Sequence, residues 1–229
     1  MTGPRPGCRS TRLDRFHTIA RPRARVYARV GLITLAALAC ARAPAAPAPN
    51  QIRRPPDLTG KTVLVLPVHA GPVPSSSTPA AGRFDDGSAL DSEIGYWLAA
   101  RAPTVKWILP PTIDRTLARS PGVDIKPRAL DVSAFRRAEV RRIGDPLFGD
   151  LRRLAAILDA GVALLPVAAE YRQDSAGQIR LEVALALIDT NFGDVLWFGI
   201  LAGDPGSPGG QAMIASAAER VAATFGPTK

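Results

Sequence analysis

The sequence predicts an α/β fold: a single domain whose mixed sheet ends in a three-stranded antiparallel meander, with helices packed on it. Three observations predict it. Val162–Ala169, Ile179–Ile188 and Val195–Ala202 are apolar β-runs. They are separated by Asp174-Ser175-Ala176-Gly177 and by the segment from Asp189 to Asp194, polar clusters with glycine that mark hairpin turns. Lys61–Val68 is a continuous apolar, β-branched run after Thr59-Gly60, as in a strand buried on both faces. Between these runs lie segments with apolar residues at helical spacing. The middle run also predicts how the sheet is buried. Ile179, Leu181, Val183, Leu185 and Leu187 share one face, whereas the other begins with Arg180 and Glu182 and finishes with Ala184, Ala186 and Ile188. One face is core throughout; the other starts wet and ends in residues small enough for a helix to lie on.

In chain order, the first strand is followed by a loop from Ala70 to Gly87 dense in proline, serine and glycine. Ser88 with Asp91 three residues on resembles a capping box, and Leu90, Ile94, Trp97, Leu98 and Arg101 continue at helical spacing until Pro103. Val105–Leu109 reads as a strand stopped by Pro110-Pro111, and Thr112–Arg119 as a short helix. Gly122–Leu130 reads as irregular. Val132–Ile143 has only a narrow apolar stripe of Phe135, Val140 and Ile143 among its arginines, so helix and loop are both open there. Asp145-Pro146 pairs an N-cap with proline at N1, Leu147, Leu151, Leu154, Ala155 and Leu158 form a stripe, and Gly161 supplies the stop. After the meander, Gln211–Phe225 is a helix with Ile214, Ala218, Val221 and Phe225 inward.

Composition points first in the wrong direction. The net charge of +9 suggests a nucleic-acid partner until it is located. Residues 1–61 hold twelve Lys and Arg against two Asp, while residues 62–229 hold 17 Lys and Arg against 18 Asp and Glu. The basicity belongs to the leader, and no nucleic-acid partner is expected. Eight arginines precede the apolar run Val30–Ala39, which ends Ala37-Leu38-Ala39-Cys40. A basic region, a short apolar region and small residues describe a secretory signal peptide, and a ten-residue run is too short to span a bilayer core of about 30 Å. The long basic region is also compatible with a start codon near Val26 or Val30.

Ending at a cysteine, the run resembles the lipobox of bacterial lipoproteins, although Ala37 stands where that family prefers Leu or Val. The resemblance implies a diacylated Cys40 as the mature N-terminus and a membrane held through its lipid; ordinary signal-peptidase cleavage nearby is the alternative. Residues 41–56, rich in alanine and proline, read as a semi-extended tether. The expected organisation is thus signal peptide over 1–39, tether over 40–60 and α/β interaction domain over 61–226.

The order of elements brings a further resemblance. An opening run of Val63 to Val68, a helix, Ala160-Gly161 before a strand, and a hairpin carrying Asp189, Gly193-Asp194-Val195-Leu196 and Trp197 look like the α/β domain shared by the TolB N-terminal region, CsgG and LpoB. That likeness implies a non-enzymatic envelope lipoprotein, in the periplasm or on the outer membrane, that docks on a cell-wall or secretion machine. Val68-His69 departs from the family's aromatic end of the first strand, and Gly122–Gly144 has no counterpart in it.

Few residues propose chemistry. The region after the leader has one histidine and one cysteine, so no His-containing metal cluster and no cofactor is expected. His69 with Asp85 or Asp86 is the one acid/base candidate and would suit a secreted hydrolase; its plainer reading is a solvated loop histidine above two helix-start carboxylates. No nucleophile elbow, phosphate loop or dinucleotide fingerprint occurs. Ser88 reads as a cap and Gly203–Gly210 as a turn. Arg136, Arg137, Arg141, Arg142, Arg152 and Arg153 place six charges in eighteen residues. They are either a solvated face or a patch for anionic lipid or an acidic partner. Trp97, Trp107 and Trp197 lie in apolar elements and read as core. A pore subunit, the remaining alternative, would need long amphipathic hairpins, and runs 179–188 and 195–202 are too apolar on both faces.

Overall fold

The computed structural model describes residues 54–74, 79–137 and 140–226. Its sheet has six strands: β1 (Thr62–Val65), β2 (Ala80–Arg83), β3 (Lys106–Ile108), β4 (Val162–Gln173), β5 (Ile179–Asp189) and β6 (Val195–Ala202). They run in the order β3-β1-β4-β5-β6, with β2 added to the outer half of β4. β1 lies parallel to β3 and β4, and every other pairing is antiparallel. The helices are α1 (Gly87–Arg101), α2 (Pro110–Ala118), α3 (Ser133–Arg137), α4 (Leu147–Leu158) and α5 (Gln211–Phe225).

Alternation along β5 divides the core in two. Leu181, Val183, Leu185 and Leu187 meet α1 and α5, joined there by Leu90, Ile94, Val221 and Trp197. Ala184, Ala186 and Ile188 look the other way, toward Leu147, Leu151 and Leu154 of α4 and toward Phe135. The small alanines let this layer approach; the start of that face, expected to be wet, is instead covered, with Arg180 half-buried and Glu182 buried opposite Arg172 and Glu170 of β4. A register shift between Pro166 and Ala168 turns both Val167 and Ala168 toward the α4 side.

Several boundaries differ from expectation for local reasons. β1 closes at Val65 because Pro67 has no N–H, yet the chain stays extended, with Leu66 N–H on the Leu164 carbonyl at 2.9 Å. β2 lies inside the expected loop; Ala80–Arg83 is fully exposed and carries no apolar alternation, so only its pairing with Arg172–Glu170 makes it a strand. α1 is capped by Asp86, whose carboxylate accepts Ala89 N–H at 3.1 Å, and not by Ser88. The pair Pro110-Pro111 opens α2 instead of preceding it, since a missing N–H costs nothing in a first turn. α4 begins at Leu147 after a cis Asp145-Pro146 peptide, with Asp145 accepting from Gly149 N–H at 3.0 Å, and it is stopped by Asp159 in the left-handed region rather than by Gly161.

Among the described residues of the open segment over 132–143, Ser133–Arg137 is helical. Phe135 stacks on Phe198 with centroids 5.9 Å apart and anchors that turn to the sheet. At 141–142, Arg142 bridges to Asp194 and Val195 N–H donates to the Arg141 carbonyl at 2.9 Å, covering the first part of the β6 edge.

Candidate functional site

The connection from β1 leaves through α1 on one face to β3, and the chain returns past β1 to β4 through helices on the other face. The crevice beyond the carboxyl end of β1 therefore lies where the winding changes direction, the usual ligand position in α/β sheets. Here the chain's own continuation occupies it. Ala70 and Gly71 bridge to Ala169, and His69 N–H donates to the Pro166 carbonyl at 3.2 Å.

His69 is 6% exposed. Its Nδ1 lies 3.2 Å from the same Pro166 carbonyl, an acceptor, which assigns the ring proton to Nδ1. Nε2 is buried with no hydrogen-bond partner among the described residues. Burial holds the pKa of His69 below its ordinary value; the Pro166 and Pro67 carbonyls oppose it, while Arg136 and Arg128 push in the same direction as burial.

A second buried polar group closes the floor. Asp91 sits one position off the inward stripe Leu90, Ile94, Leu98 of α1, and its carboxylate accepts Val68 N–H at 2.7 Å. Its other oxygen is 3.0 Å from Arg128 Nη1, within ion-pair range but without hydrogen-bond geometry. Burial raises its pKa against the opposing pull of Val68 N–H and Arg128. Arg128 belongs to a single 3-10 turn, Pro127–Ala129, and Arg136 of α3 lies against Gly71, where an added Cβ would fall 2.8 Å from its Nη2. Two arginines of the 122–144 segment thus reach back to the end of β1. Sequence reading missed this role of Asp91, because Ser88-x-x-Asp91 is also a cap pattern; its place beside the inward stripe was the available signal.

The predicted acid/base group is not assembled. Asp85 pairs with Arg83 at 2.7 Å in solvent, Asp86 is taken up by the α1 cap, and His69 is buried away from solvent against β4 instead of standing in a wet loop. The six arginines divide. Arg142 pairs with Asp194 at 2.7 Å and Arg153 with Asp150 at 2.5 Å. Arg136 sits by Gly71, about 20 Å further along the sheet by strand rise. Arg141 and Arg152 are exposed, and the side chain of Arg137 lies outside the described part. Cys40, with the leader and most of the tether, lies outside the described residues as well.

Trp197 is core, packed edge-on against Phe225, and Trp97 and Trp107 are half-buried against the same core. The Gly203–Gly210 segment turns β6 into α5, and Gly203 passes so close to α5 that a Cβ would lie 2.8 Å from Ala217 N. A cavity of about 330 Å³ opens at the amino end of the sheet, between Arg54–Thr59 and the ends of α1 and α5. Among the described residues no three His, Cys, Asp or Glu are grouped to hold a metal, and no helix is long and apolar enough to cross a membrane.

No protein-family model matches the chain, and no curated protein matches it in sequence. Solved structures do resemble it in part. A PelC dodecamer from Paraburkholderia phytofirmans aligns at 15% identity over 76% of this chain and 96% of that one, with a TM-score of 0.41. A single-substitution variant of the same protein gives 17% identity, the same coverages and a TM-score of 0.40. Lipoprotein GNA1162 from Neisseria meningitidis aligns at 14% identity over 66% of this chain and 84% of its own, with a TM-score of 0.36.

Proposed function

We propose that this chain is a non-enzymatic envelope lipoprotein, held to a membrane through lipid on Cys40, whose α/β domain is a protein–protein interaction module for a cell-wall or secretion machine. One observation carries the reading: a basic region, the ten-residue run Val30–Ala39 and Ala37-Leu38-Ala39-Cys40 are followed at once by an alanine- and proline-rich tether. The folded body supports it from the other side. Among the described residues the core runs from Leu58 to Phe225, so the leader and tether stand ahead of it in the chain. The resemblance to the TolB, CsgG and LpoB type of domain supports a docking role. His69 is bonded to the Pro166 carbonyl while Asp85 and Asp86 are engaged by Arg83 and the start of α1, which speaks against the hydrolase reading.

A tether of about sixteen residues at ~3.1 Å each reaches roughly 50 Å from a bilayer, enough to meet a partner on the same membrane or in the wall. The test compares the full chain with Cys40→Ser by metabolic lipid labelling and membrane fractionation. Label and membrane association in the wild type alone is the expected result. Equal labelling of both, or a soluble wild type cut elsewhere, removes the anchor.

A further inference from the structure

We infer that His69 and Arg136 form an acid-sensitive latch: protonation of His69 releases the segment Pro127–Arg137 from the end of β1 and opens the crevice that residues 68–71 now fill. The geometry is that of a neutral ring. Nδ1–H is committed to the Pro166 carbonyl, and Nε2 is a buried lone pair with no partner among the described residues. A proton at Nε2 creates a buried N–H and a positive charge together. As placed, Nε2 has no hydrogen-bond partner among those residues, and the Pro67 and Pro166 carbonyls that favour the charged ring do not offset burial and the two arginines.

The charged groups around the ring set its response to that proton. Arg136 comes from α3, with its guanidinium against Gly71, and Arg128 from the 3-10 turn. α1 contributes Asp91, already engaged by Val68 N–H and Arg128. β4 offers the Pro166 carbonyl and, further along, Glu170, which accepts Val73 N–H and pairs with Arg172. Among the described residues, two cations and no uncommitted carboxylate face a newly charged ring, so the closed state is destabilised. The elements that carry the two arginines are short: α3 has five residues, held by Phe135 on Phe198, and Arg128, about half exposed, sits on a single 3-10 turn.

The direction of the effect is fixed by linkage. The closed state keeps His69 neutral below its ordinary pKa, while an open state binds the proton near pH 6.5. Closure is therefore at full strength above about pH 6.5 and weakens as pH falls. Between pH 7.5 and 5.5 the open fraction rises about tenfold if the closed ring stays neutral throughout.

The experiment is hydrogen exchange on the full chain at pH 7.5 and 5.5, corrected for intrinsic exchange, for the wild type, His69→Gln and Arg136→Gln. The expected wild-type result is about tenfold loss of protection at residues 66–71 and 127–136, with the amides of Leu181–Leu187 unchanged. His69→Gln, neutral at both values, should show no pH response in those segments. A wild type with equal protection at both pH values overturns the latch, as does His69→Gln opening like the wild type. Should His69→Gln fail to fold, Arg136→Gln decides: opening displaced to lower pH supports the latch, and an unmoved midpoint overturns it.

Discussion

Two residues show how single groups are constrained here. Gly199 lies beneath the Trp197 ring, where a Cβ would stand 2.4 Å from Cζ2, and that ring is wedged against Phe225. Gly199→Ala must displace a buried indole, so a loss of about 1–3 kcal/mol is expected, measured as a lower urea midpoint with unchanged slope. Asp91 is the opposite case, a charge kept where burial disfavours it. Asp91→Ala leaves Val68 N–H without its acceptor and should cost about 1–3 kcal/mol, whereas Asp91→Asn, which can still accept that bond, should cost less. The pH response separates them further. Asp91 binds its proton more tightly folded than unfolded, so its contribution is fully present below the unfolded value of about 3.9 and is lost as pH rises through the raised one. Wild-type stability relative to Asp91→Asn should therefore improve from pH 6 to pH 4; the reverse trend would contradict the assigned burial.

At the scale of elements, β5 is the strand both layers depend on. Leu185 is fully buried, opposite Pro166 on one side and Gly199 on the other, so Leu185→Asp places a charge among apolar neighbours and should cost about 3–5 kcal/mol. A folded, cooperative Leu185→Asp at near wild-type stability would refute the burial pattern. α3 makes a different point. A five-residue helix has no stability of its own, and its position comes from Phe135 stacked on Phe198. Phe135→Ala should cost about 3–5 kcal/mol in global stability and should raise exchange in residues 127–143 before any in β5.

For the whole molecule, the charge is divided along the chain rather than spread over the fold. Residues 62–229 carry one more acid than base, so duplex DNA should not bind this region at physiological salt, as fluorescence anisotropy would show. Micromolar, salt-sensitive binding would restore the nucleic-acid reading against which the charge partition argues. The placement of α4 and α5 on opposite faces of one sheet gives both cores a common strand, and this ties distant parts of the chain to one another.

What the sequence determined by itself was whatever depends on a residue and its near neighbours. Alternation at Ile179–Leu187 set which side chains of β5 share the face toward α1 and α5, helical spacing placed α5 at Gln211–Phe225, and the partition of charge assigned the excess of basic residues to the leader. Tertiary structure decided the rest, because those features have no local cause. Ala80–Arg83 is a strand only through β4, Asp91 is engaged by Val68 N–H instead of the cap, and His69 is buried against β4 on the Pro166 carbonyl. A backbone group that must find a partner finds it across the fold, over distances in sequence that periodicity does not register.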